Sequence, residues 1–280
     1  MPRLVWFFFL KHFHHSYRRL LVTFGVLFFL SIIAKNRAYY IFVPTDATLM
    51  LWDYVFYAFS CPLIVVFFFP IFFCYLISDI YKIDFTDASI AVTLLRSGSR
   101  FCYYSSKAIV IILSANIFFV GFFCILILVA VIFRMPVEGE HYFPMVRLSN
   151  EVDQNIADLL IIQHGLSILY LVAIGLFVTV LSLIFSKISY AYLVVLFLAG
   201  QGYNAVMYNM SLLPYSIFAF SVRSHHYPFL MAMVEDGDYS IKNLVNYTTS
   251  YVILVLAVAA LSIFAIGWHQ FRKKTIATEE

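Results

Sequence analysis

The chain has 280 residues, 63% of them hydrophobic and only 12% charged, with a mean hydropathy of +0.92 and a formal net charge of +3. So little charge cannot cover an aqueous surface, and the apolar runs are too long for soluble core elements, which excludes a water-soluble enzyme and leaves a membrane protein. No basic patch interleaved with aromatics marks a nucleic-acid surface. Cys61, Cys74, Cys102 and Cys124 form no CxxC pair, so packing is expected of them rather than metal or redox chemistry.

In chain order, the first apolar patch, Leu4 to Leu10, is followed by Lys11, a histidine cluster and Arg18-Arg19 rather than a small-residue cleavage site, so the N-terminus is expected to be retained. Residues 4–18 predict an amphipathic helix lying in the membrane interface. Trp6, Leu10, Phe13 and Tyr17 recur at helical spacing, opposite Lys11, His14, His15 and Arg18. The first span is expected over about 20–43. Its uninterrupted apolar part, 20–34, is shorter than the ~20 residues that cross the hydrocarbon, so Lys35 and Arg37 must snorkel. The second, about 51–80, contains Pro62 and Pro70 and is expected to kink. Further spans are expected over about 104–133, 156–185, 189–212 and 251–268, with an external segment at 213–250. The fold expected is an all-α membrane protein, one transmembrane domain over 1–280 with six crossings.

Placing the N-terminus in the cytoplasm puts 12 of the 18 basic residues on that side, including Arg3, Lys82, Lys107, Lys187 and Arg272. Lys35, Arg37, Arg134, Arg147, Arg223 and Lys242 fall outside. The positive-inside rule therefore predicts a multi-pass protein of the plasma membrane, of bacterial type, with both termini cytoplasmic.

The connection between spans two and three carries the most specific local signals. Thr86 can cap a short helix, with Asp87 at its positive N-terminal end. Ile90, Ala91, Leu94 and Leu95 give that helix an apolar face. Arg96 suits its C-terminal end, Gly98 can take the left-handed conformation that stops it, and Ser99 can cap the third span. The helix, Leu94-Leu-Arg-Ser-Gly-Ser-Arg100 and then Ser106-Lys107 resemble the permease subunits of ABC-2 type transporters. The resemblance covers Asp84 to Lys107 as sequence and nearly the whole chain as architecture. Many relatives have Gly-Thr in this helix, where Ala88-Ser89 and Val92-Thr93 stand here.

The resemblance implies a cytoplasmic coupling helix that docks on a separate ABC ATPase through Asp84, Asp87, Ile90, Leu94, Leu95, Arg96 and Arg100. It also implies a second permease subunit, identical or related, and ATP with magnesium bound by the ATPase rather than by this chain. A capped helix that only covers the base of the bundle is the plainer alternative. Relatives fold the part corresponding to 211–249 as short helices re-entering the outer leaflet, and an ordinary external loop fits the residues equally well.

Asn116, Gln163, His164, Gln201 and Asn204 are the principal polar groups inside the expected spans and the candidate pathway-lining residues. Inter-helix hydrogen bonding, worth about 0.6–2 kcal/mol each, is the other reading. The sequence has no GxxxxGK[ST], HExxH or GxSxG, so no catalysis of its own is expected. The function expected is export of an amphipathic or hydrophobic cargo (a peptide, drug or lipid) past the bilayer lipid. An ATP-independent transporter or channel, or a non-transporting scaffold or immunity protein, are the rivals.

Overall fold

The structure, a computed structural model, describes residues 1–77, 80, 97–151, 155–185, 188–226, 229 and 246–277. The regular elements of the described residues are all helices. In chain order they form α1 (Pro2–Phe42), α2 (Leu51–Ala58), a π-helical stretch (Leu63–Phe68), α3 (Phe69–Ile77), α4 (Arg100–Ile132), α5 (Pro144–Glu151), α6 (Ile156–Ile184), α7 (Ile188–Met207) and α8 (Thr249–Ala277). Short 3-10 turns at Met210–Tyr215, Ile217–Ala219 and Arg223–His225 lie between α7 and α8.

Helices α1, α4, α6, α7 and α8 are each long and apolar enough to cross a membrane. The segments Leu51–Ala58 and Leu63–Ile77, bent by 44°, make a sixth crossing when taken as one broken span. The bend has a local cause. Pro62 opens the second half, and Pro70 lacks an N–H and crowds the carbonyl four residues back. Winding Leu63–Phe68 as a π-helix relieves that crowding, with the Phe69 N–H bonding to Ile64 O, and the Tyr170 hydroxyl of α6 donates to the Val65 carbonyl at 3.4 Å.

One expectation is corrected. Residues 4–18 are not a separate interfacial helix but the first turns of α1, which continues unbroken to Phe42. At 1.5 Å per residue such a helix is about 60 Å long, twice the ~30 Å hydrocarbon thickness. It runs parallel to α4: Phe8 meets Tyr103 edge-on, Phe24 stacks on Phe118 and Lys35 lies 4.3 Å from the Phe133 ring centroid. The physical reason is that no residue between Pro2 and Pro44 breaks the helix, and its packed side is a stripe not read as apolar. His12, Ser16, Thr23, Leu27, Ser31, Ala34 and Ala38 are buried, while Trp6, Leu10, Phe13 and Tyr17 are exposed. Small and hydroxylated residues bring membrane helices close, whereas bulky apolar ones can face lipid.

The core is aromatic between the broken span and α4. Phe59 stacks on Phe119 at 4.9 Å, and Phe69 packs edge-on against Phe118 and Phe122 at 5.1 and 4.8 Å. Helix α6 is the most enclosed span and packs along α8, α4, α3 and α7. The start of α1, the exit of α3, the start of α4 and the end of α8 gather at one end of the bundle.

Candidate functional site

Of the expected coupling residues, Asp84, Asp87, Ile90, Leu94, Leu95 and Arg96 lie outside the described residues. Arg100 is the first residue of α4 and partly exposed. Just before it, Gly98 has φ +72° and Ser99 is extended, its hydroxyl accepting from the Cys102 N–H at 3.0 Å. The expected stop and cap are both present.

The two ends of that connection are tied together by a residue read from sequence as part of the Ser106-Lys107 resemblance and as a cytoplasmic charge, with no partner assigned to it. Lys107, 4% exposed, donates its ammonium to the Ile80 carbonyl just beyond α3 and sits over the rings of Phe8 (4.5 Å) and Tyr103 (5.5 Å). Tyr103 stacks on Phe271 of α8 at 5.4 Å, and the Tyr104 hydroxyl donates to the Phe264 carbonyl at 3.2 Å. The 81–96 connection therefore hangs from a junction of four helix ends. The available signal was a lysine two turns inside an apolar helix, behind paired serines.

The five candidate pathway residues do not form one site. Asn116 on α4 bonds back to its own Ile112 carbonyl at 2.9 Å. Gln163 on α6 is fully buried: its amide nitrogen donates to the Ser167 hydroxyl at 3.1 Å, while its oxygen has no donor. His164 packs edge-on against Phe119 of α4, 4.7 Å between centroids. Gln201 and Asn204 stand apart on the outer face of α7, exposed in one stripe with Tyr190, Leu193, Phe197 and Tyr208.

The opposite end of the bundle carries two polar clusters. Asp53 of α2, 1% exposed, accepts from the Tyr142 N–H at 2.8 Å and pairs with His141 Nδ1 at 3.1 Å, clamping the α4–α5 connection onto α2. The Tyr142 hydroxyl donates to Glu140 at 3.1 Å; desolvation, then this bond, raises its pKa. The second cluster is in the 3-10 turns. These fold back along α7, where Phe218 reaches Gly202 so closely that a Cβ there would lie 2.6 Å from the Phe218 Cβ.

Arg223, Ser224, His225 and His226 are buried within this stretch. His225 Nδ1 faces the Ser224 hydroxyl at 3.1 Å. His226 faces Thr249 Oγ1 at 3.2 Å through Nδ1 and the Phe220 carbonyl at 3.1 Å through Nε2, which must donate to it. The two rings thus turn to different partners. Burial lowers their pKa values to about 4 and about 3, so both are neutral near pH 7.

Apolar helices of spanning length and a broken second span define a multi-pass helical membrane protein. Residues 20–277 match the profile of a family described as "Protein of unknown function (DUF2705)", and the chain belongs to that family. No curated protein and no solved structure matches it.

Proposed function

We propose that this chain is the permease subunit of an ATP-driven exporter resembling the ABC-2 type. It would pair with a second copy of itself and be moved by a separate ATPase at the cytoplasmic face of the plasma membrane. The observation that carries this reading is the exposed amide pair Gln201 and Asn204 on α7. In hydrocarbon an amide without partners costs several kcal/mol, so a spanning face that presents two amides calls for a polar neighbour. Amides both donate and accept, so two such faces related by a two-fold axis satisfy one another and line a seam wet enough for an amphipathic cargo. The flanking Tyr190, Leu193, Phe197 and Tyr208 supply contact area for a peptide, drug or lipid.

The junction around Lys107 supports the coupling half of the reading. The 81–96 connection starts and ends where α1, α3, α4 and α8 meet, so a push on it reaches four helices at once. With the positive-inside assignment that end is cytoplasmic, and both chain termini lie there. The membrane chain would do no hydrolysis; ATP and magnesium belong to the ATPase.

The test replaces Leu94→Asp and Arg96→Ala and follows co-purification of an ABC ATPase with this chain from detergent extracts of its native membranes. Association is expected to fall at least about tenfold, roughly 1.4 kcal/mol, with the amount of permease in the membrane unchanged. Wild-type association together with wild-type transport would contradict the coupling role.

A further inference from the structure

Arg223 is enclosed at the end of the bundle opposite the termini, with 3% of its surface exposed. Its Nη1 donates to the Leu159 carbonyl at 3.0 Å, and its guanidinium lies 5.3 Å from the Phe229 ring centroid. Its Nε has no acceptor. Among the described residues no carboxylate pairs with it, and the Asp53–His141 pair is a separate cluster. Neutral His225 and His226 supply no counter-charge, and burial lowers the Arg223 pKa only to about 10, so the guanidinium remains charged at neutral pH.

A guanidinium this enclosed is strongly unfavourable unless an anion completes it. Its position indicates which anion. Leu159 is in the first turn of α6, and the neighbouring His226 touches Thr249, the first residue of α8. Both are span ends, the depth at which lipid phosphates lie. The planar fork of a guanidinium matches phosphate oxygens two at a time.

We propose that Arg223 is the anchoring residue of a phosphate-binding site, filled by a phospholipid headgroup at the membrane surface opposite the chain termini. Entry requires the Met210–His226 stretch to shift, which short 3-10 turns with their poorer hydrogen bonds permit. The site does not depend on the transport reading.

The test uses the full chain in a neutral maltoside detergent and follows its Tm with dihexanoyl-phosphatidylglycerol, dihexanoylglycerol or inorganic phosphate added. The phospholipid is expected to raise Tm by roughly 5 °C at about 100 times its Kd, and dihexanoylglycerol to leave it unmoved. Arg223→Met is expected to abolish the rise and Arg223→Lys to keep part of it. Without lipid, Arg223→Met is expected to unfold no earlier than wild type, because the enclosed charge is gone. An equal rise with inorganic phosphate supports the phosphate site and assigns it to a soluble phosphate instead of lipid. No rise with any phosphate, as an internal pair with Glu235, Asp236 or Asp238 would give, overturns the proposal. So does a full rise in Arg223→Met. If the variants do not accumulate, native mass spectrometry of wild type decides: phosphatidylglycerol retained in preference to dihexanoylglycerol supports the site, and no such preference overturns it.

Discussion

Lys107 remains inside the bundle because each part of it has a neighbour suited to it: a carbonyl at the exit of α3 for the ammonium, aromatic rings for its charge and stem. Gly98 and Ser99, nine and eight residues earlier, were legible from sequence because their roles are local. A left-handed residue and an N-cap need only the chain on either side. Lys107 was not, since its partners Ile80 and Phe8 are brought to it by packing. The same distinction separates Asp53, whose acceptor role depends on a loop about 90 residues away, from Asn155, which caps its own helix by accepting from Ala157 at 3.2 Å.

His225 and His226 give the residue scale its clearest prediction. The unfolded chain takes up their protons near pH 6.5, whereas the folded chain takes them up only near pH 4 and pH 3. Between those values the unfolded state binds more protons, so stability is full above about pH 6.5 and is lost as pH falls through 4 and 3. The loss is at most about 1.4 kcal/mol per pH unit for each histidine. Thermal unfolding from pH 7.5 to 4.5 is expected to show Tm falling below pH 6.5, and His226→Gln is expected to make that fall shallower. An unchanged slope in the variant would remove His226 from the account.

Among the elements, α1 shows most plainly what periodicity can and cannot say in a membrane protein. A regular recurrence of Trp6, Leu10, Phe13 and Tyr17 does mark one side of a helix, but lipid accepts that side as readily as a protein core does. The packed side is set by size and shape instead. The contact of α1 with α4 depends on one absence of a side chain: a Cβ at Gly121 would collide with the Phe24 ring. Gly121→Leu is therefore expected to force the two helices apart and destabilise the protein by about 1–3 kcal/mol, read as a lower unfolding temperature in detergent. Gly25, whose added Cβ would meet nothing within 4 Å, is the matched control. Equal effects at both positions would mean that helix propensity, not packing, governs α1.

The broken second span was legible as a kink from Pro62 and Pro70, but its π-helical winding was not. That winding is selected jointly by Pro70 and by the Tyr170 hydroxyl reaching across from α6. The turn-rich stretch after α7 was open to two readings from sequence. Its described part, through His226, folds back so that Phe218 lies against Gly202 of α7, a contact that no local pattern encodes; residues 227–228 and 230–245 lie outside the described residues.

For the whole molecule, an even number of crossings follows once the broken span counts as one, and the aromatic junction of α1, α4 and α8 places the start of α1 beside the end of α8. The single chain closes its core through α6 but leaves two amides of α7 facing outwards, so the account turns on what covers that face. A version lacking Cys61, Cys74, Cys102 and Cys124 and carrying Asn204→Cys, oxidised in native membranes, measures this directly. Leu254→Cys on the exposed side of α8 is the control. The account predicts a disulfide-linked dimer from Asn204→Cys and monomer from the control. Monomer from Asn204→Cys, or dimer from Leu254→Cys alone, would contradict it.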